Sequence, residues 1–170
     1  MRGACRGVRG GRHRHRLTHA PRPVIMNLCL RGIPGMDDTN SEKRLQGKRV
    51  LIVDDDPDVL AILKQAMQAE GALTQCCSDG NSAVHICEQD PPDLLLLDMM
   101  LPKRSGFLVL ERVKMRERPP IVIMVTANEG KRHHAYAETL GVDAYMQKPL
   151  RLESLVHTAV DLLAARDKAA

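Results

Sequence analysis

From residue 49 onward, short runs of apolar residues alternate with longer segments in which apolar residues recur every three or four positions. The short runs predict strands at about 49–53 (Arg49-Val50-Leu51-Ile52-Val53), 72–77, 93–98 (with Leu94 to Leu97), 121–125 and 143–147. The longer segments predict helices at about 57–69, 81–89, 105–117, 129–140 and 151–166. Val59, Ile62, Leu63, Ala66 and Met67 form the apolar stripe of the first helix, and Leu152, Leu155, Val156, Ala159, Leu162 and Leu163 that of the last. Local signals agree with these bounds. Asp56 can cap the first helix, Pro57 suits its first turn, and Gly71 follows its end. Pro91-Pro92 and Pro119-Pro120 stop the second and third helices, and Gly141 ends the fourth.

Five strand–helix units in strict alternation predict an α/β fold: a five-stranded parallel sheet, doubly wound as (βα)5, with helices on both faces. The flavodoxin-like strand order 2-1-3-4-5 follows, and its ligand crevice opens where strands 1 and 3 diverge, at their C-terminal ends.

Those ends carry the chemistry. Strand 1 runs into Asp54-Asp55-Asp56 and strand 3 into Asp98, while strand 4 ends in Thr126-Ala127 and strand 5 is followed by Lys148-Pro149. Carboxylates gathered at one point repel one another unless a cation sits among them. Their hard oxygens suit Mg²⁺, which accepts one or two carboxylates and keeps its remaining positions for water or phosphate. Lys148 supplies a point charge for a phosphate oxygen, and Thr126 a hydrogen bond. The set Asp54, Asp55, Asp98, Thr126 and Lys148 therefore suits phosphoryl transfer, in which positioning and charge neutralisation do most of the work. Asp98 stands alone at its strand end, facing the pair, and is the candidate nucleophile for an aspartyl-phosphate. Asp54 and Asp55 would then hold the metal. Singly, each residue has an ordinary reading: acids cap helices, and a lone Lys is usually solvated. Their order and common sheet edge argue for one site.

Charge divides the chain. Residues 1–35 contain eight Arg, no Lys and no acid, whereas the remainder carries 17 basic and 21 acidic side chains. The basic pI thus belongs to the first 35 residues, and the remainder gives no electrostatic reason to bind nucleic acid. That first segment lacks periodicity and enough apolar area to fold. Three readings compete for it: an Arg-rich arm touching nucleic acid, an organellar transit peptide weakened by the absence of Ser, and an over-extended gene start with translation beginning at Met36. The ordinary polar start Met36-Asp37-Asp38 favours the last. No apolar stretch approaches the ~20 residues of a membrane span. Five cysteines (Cys5, Cys29, Cys76, Cys77 and Cys87) form no C-x-x-C pair. An odd count without a secretory signal predicts reduced thiols and a cytoplasmic protein.

With these motifs in place (Val53-Asp54-Asp55; Leu97-Asp98 followed by Leu101-Pro102 and Gly106; Val125-Thr126-Ala127; Lys148-Pro149), the chain strongly resembles the receiver domain of two-component response regulators. The resemblance covers roughly Lys48 to Arg166, which places the receiver domain at 48–168 and an unstructured segment at 1–47. It implies that Asp98 accepts a phosphoryl group from a phosphohistidine on a sensor histidine kinase or phosphotransfer protein. Asp55, Asp98 and the main-chain carbonyl of Met100 would ligate Mg²⁺ directly, and Asp54 mainly through water. Lys148 would pair with Asp98 and then with the phosphoryl group, and its bond to Pro149 would be cis. Thr126 would move to hydrogen-bond the phosphoryl group, and Tyr145 would rotate inward. The surface of helix 4, strand 5 and helix 5 would thereby change its affinity for a downstream protein effector, with phosphorylation-dependent homodimerisation as one outcome. Such a protein catalyses its own phosphorylation and dephosphorylation but is not a multiple-turnover enzyme on a small substrate.

Met100 and Asn128 take the positions that flank the path of a hydrolytic water, and Met100 offers that water no useful hydrogen bond, which predicts slow self-dephosphorylation. His133 and His134 diverge by ~100° on a helix, so they suit solvent or a partner better than a shared metal. The chain ends after helix 5 with no DNA-binding motif, as expected of a stand-alone receiver. Two other classes compete. Asp54-Asp55-Asp56 contains the Asp-x-Asp of haloacid-dehalogenase-type phosphatases, although the Thr expected after it is missing. The Arg-rich arm would make the protein a nucleic-acid binder.

Overall fold

In the computed structural model, which describes residues 43–127 and 130–169, strands and helices alternate strictly. The order is β1 (Arg49–Val53), α1 (Pro57–Ala69), β2 (Leu73–Cys77), α2 (Gly80–Gln89), β3 (Leu94–Leu97), α3 (Gly106–Lys114), β4 (Ile121–Thr126), α4 (Lys131–Thr139), β5 (Ala144–Gln147) and α5 (Leu152–Ala169). All four strand pairings are parallel, in the order β2-β1-β3-β4-β5. This is the flavodoxin-like doubly wound sheet that the alternation predicts.

The pleat divides the core in two. Val50, Ile52, Leu94, Leu96, Ile121, Ile123 and Val125 point to one face and pack on α1 and α5 through Leu63, Met67, Leu155, Ala159 and Leu163. Leu51, Val53, Leu95, Leu97, Val122 and Met124 point to the other and meet α2, α3 and α4 through Val84, Cys87, Leu110, Val113 and Ala137. Successive strand residues face opposite ways, so central strands covered on both sides must be apolar throughout. β3 and β4 are accordingly buried at every position, whereas the edge strand β2 is half-exposed. Cys76 and Cys77 fall on opposite faces.

Three expectations need correction. Residues 43–47 are not structureless: they form turns, Leu45 is 1% exposed in the α1/α5 core, and its N–H donates to the Glu70 carbonyl at 2.9 Å. The rest of the segment, residues 1–42, with its arm, transit-peptide and gene-start readings, lies outside the described residues. Helix α3 stops at Lys114 rather than 117. The Lys114 ammonium there donates to the Pro120 carbonyl at 3.1 Å, and the Arg116 guanidinium to the Cys87 carbonyl at 2.5 Å, so tertiary contacts take over the chain. Ile62, assigned to the apolar stripe of α1, is 51% exposed, whereas Leu63 and Met67 are the buried residues of that helix. Among the described residues, no helix is long and apolar enough to cross a membrane.

Candidate functional site

The parallel register brings the strand ends together. Val53 pairs with Leu97, Leu97 with Met124, and Thr126 with Gln147, so Asp54, Asp98, Thr126 and Lys148 emerge at one edge of the sheet. The main chain fixes two of them directly. The Asp98 N–H donates to the Val53 carbonyl at 2.9 Å, and the Lys148 N–H to the Thr126 carbonyl at 2.8 Å. Asp54, Asp98 and Thr126 are 1%, 5% and 0% exposed.

Lys148 bridges the two buried acids. Its Nζ lies 2.6 Å from Asp54 Oδ2 and 3.1 Å from Asp98 Oδ1. The remaining carboxylate oxygens are also used: Asp54 Oδ1 accepts the Asp56 N–H at 3.0 Å, and Asp98 Oδ2 accepts the Met100 N–H at 2.5 Å. The Lys148–Pro149 peptide is cis, as the resemblance implies. Asp56 caps α1, accepting the Asp58 and Val59 N–H groups, and is thereby set apart from Asp54 and Asp55.

Burial decides the electrostatics. It pushes the Asp54 carboxyl above its ordinary value, against the lowering effect of Lys148 and the Asp56 N–H. Burial also disfavours the Lys148 ammonium, but hydrogen bonds to Asp54 and Asp98 outweigh it and hold that pKa up. Two carboxylates against one ammonium leave this buried trio with one negative charge in excess. Asp55 beside it is exposed and makes no ion pair among the described residues. Among the described residues no three metal-binding side chains are drawn together, and Lys148 lies between Asp54 and Asp98. The excess negative charge and the all-oxygen donor set nevertheless fit a hard divalent cation.

Met100 is 68% exposed at the mouth of this cleft, and Asn128 lies outside the described residues. Tyr145 is half-buried on β5, one face against the His134 ring at 4.7 Å between centroids. Burial, and then the nearby Asp98 charge, push its phenol up. His133 instead stacks on Phe107 at 6.0 Å, so the two histidines do diverge.

Gly106, where α3 begins, is forced by the site: a Cβ there would lie 2.2 Å from the Asp98 carbonyl oxygen. One cluster escapes sequence reasoning. Asp79, the buried N-cap of α2, accepts the Lys103 ammonium at 3.0 Å, tying the loop after β3 to α2. The Asp79-Gly80-Asn81 start of that helix was a visible capping signal. Its link to Lys103 left no mark in the sequence.

Residues 50–160 match the family model described as the response regulator receiver domain. The chain belongs to that family. Solved receivers share its architecture. A CheY-like response regulator receiver domain from Methanospirillum hungatei superposes with a TM-score of 0.70 at 29% identity, covering 74% of this chain and 100% of that one. A signal receiver domain from Vibrio parahaemolyticus gives 0.66 at 28% identity, over 72% and 94% of the two chains. The receiver domain of a sensor histidine kinase from Pseudomonas aeruginosa, solved with a magnesium ion coordinated in its active-site cleft, gives 0.64 at 23% identity, over 69% and 98%. Membership in the receiver family sets aside the haloacid-dehalogenase-type reading of the Asp-x-Asp.

Proposed function

We propose that this receiver is phosphorylated on Asp98 in a Mg²⁺-dependent reaction, with a phosphohistidine of a sensor histidine kinase or phosphotransfer protein as donor. The observation that carries the reading is the Lys148 ammonium held between two buried carboxylates, 2.6 Å from Asp54 and 3.1 Å from Asp98. An Asp98 carboxylate oxygen attacks phosphorus, the phosphorus–nitrogen bond of the donor breaks, and the imidazole leaves with the electron pair. Asp55, Asp98 and the Met100 carbonyl would hold Mg²⁺, with Asp54 acting through water, and the ion would neutralise charge on the phosphoryl oxygens. Lys148 exchanges its contact with Asp98 for one with a phosphoryl oxygen, and Thr126 donates a hydrogen bond to another.

Thr126 and Tyr145 make the switch. Movement of the Thr126 hydroxyl toward the phosphoryl group opens space that the Tyr145 ring enters, and the α4–β5–α5 face changes its affinity for an effector protein or a second copy. Phosphorylation stores the signal as a covalent state of a cytoplasmic protein and turns over no small substrate.

Intact mass after incubation with acetyl phosphate and Mg²⁺ tests the reading. The wild type should gain one phosphoryl group (~80 Da), and Asp98→Ala or added EDTA should abolish the gain. Equal gain by wild type and Asp98→Ala would refute Asp98 as the acceptor.

A further inference from the structure

We propose that Asp79 and Lys103 form a clamp that positions the main-chain carbonyl of Met100 and so sets the affinity of the cleft for Mg²⁺. The inference rests on the metal reading above. It concerns the loop from Asp98 to Gly106, which carries both the phosphoacceptor and that carbonyl.

The loop is pinned at both ends. At α3, the Gly106 N–H donates to the Met99 carbonyl at 2.9 Å. On its outer side the loop lies against the start of α2. The Pro102 carbonyl accepts the Arg104 N–H at 2.7 Å and the Gly80 N–H at 3.4 Å, and Arg104 Nε donates to Asn81 Oδ1 at 3.0 Å. The approach is so close that a Cβ on Gly80 would lie 2.1 Å from the Arg104 carbonyl oxygen. Between these contacts Lys103 adopts φ 63°, the one positive φ of a non-glycine residue among those described. A lysine in the left-handed region is strained, and strain of this kind persists only where surrounding contacts impose it.

The hydrogen bond from the Arg104 N–H to the Pro102 carbonyl closes a three-residue turn around Lys103, and the side chain of that residue is held in turn by the ion pair with Asp79. Asp79 Oδ1 accepts the Asn81 and Ser82 N–H groups, both at 3.0 Å, and that alone caps α2. Oδ2 is left for the Ser82 hydroxyl at 2.8 Å and the Lys103 ammonium at 3.0 Å. Capping needs neither a full charge nor a lysine, since Asn caps as well as Asp. Lys103 is largely exposed, so the pair adds little to stability as such. What it does is hold Lys103 against α2, three residues downstream of the Met100 carbonyl, whose direction decides whether it can reach a cation. Outer contacts of this kind orient the groups that touch a metal and change its affinity without touching it.

The test is a MgCl₂ titration of the full chain, followed through amide shifts, for wild type, Lys103→Gly, Asp79→Asn, Lys103→Arg and Asp55→Ala. Glycine removes the φ strain and asparagine keeps the cap, so both variants fold, Asp79→Asn with a Tm modestly below wild type because it lacks the carboxylate charge. The clamp predicts that each weakens Mg²⁺ binding about tenfold, and that Lys103→Arg retains wild-type affinity. Unchanged affinity in either clamp variant, with Asp55→Ala abolishing binding, overturns the clamp and leaves the metal reading standing. Wild-type binding by Asp55→Ala overturns the metal reading itself, and the clamp with it.

Discussion

Lys148 is worth most where it is least free: under the proposed phosphorylation, a cation enclosed by two buried acids would follow charge as it moves from Asp98 to a phosphoryl group. Met100, two residues past the acceptor, does the opposite by contributing nothing polar to the water that would remove that group. The Asp98 phosphate should therefore last minutes or longer, and Met100→Asn should shorten its life several-fold, read as the rate at which ~80 Da is lost. A decay rate unchanged by this substitution would discard Met100 as the cause. Asp79 makes a separate, pH-dependent contribution. The Ser82 N–H, then the Ser82 hydroxyl and the Lys103 ammonium, hold its carboxyl below the ordinary carboxylate range. A folded value below the unfolded one (about 3.9) stabilises the protein above that pH, and the gain disappears as pH falls through the folded value. Asp79→Ala should lower Tm at neutral pH and show a smaller further fall in Tm between about pH 5 and pH 2 than wild type.

At the scale of elements, the loops do the work and the helices hold them. Gly106 starts α3 against the Asp98 carbonyl, so Gly106→Ala must displace one or the other. It should cost about 2 kcal/mol or more in thermal denaturation and slow phosphorylation by acetyl phosphate. The elements themselves were legible wherever their signals are local. Strand β1 and helix α1 fall at their expected bounds because an apolar run, a capping Asp56 and Pro57 state them within a few residues. The end of α3 was not legible, since it depends on Arg116 reaching Cys87, 29 positions away. The candidate site was readable for the same reason that the sheet was: carboxylates ending apolar runs must meet once strand order is known. The clamp was hidden because positive φ is ordinarily announced by glycine, and here a lysine adopts it.

For the whole molecule, the described chain begins earlier than its first strand. Leu45 is a lone apolar residue in a polar stretch, without periodicity to reveal it, yet it sits in the core between α1 and α5. Around it, Arg44 pairs with Glu70 at 2.7 Å and Lys48 with Asp167 at 2.6 Å, joining this turn to the ends of both helices. Leu45→Ala should cost about 2–4 kcal/mol, and deletion of residues 1–47 at least as much, measured by denaturant unfolding. A deletion as stable as the full chain would mean that the turn is dispensable.

The distance along the chain between Asp54 and Lys148 has a consequence for biosynthesis. The two partners of this bridge are 94 positions apart. A ribosome that has made the first acid must still produce four helices and four strands before the balancing ammonium exists. Until then Asp54 and Asp98 lack the ammonium that bridges them in the folded protein. On the proposed function, competence to accept a phosphoryl group would thus arrive only after the last strand, with Lys148.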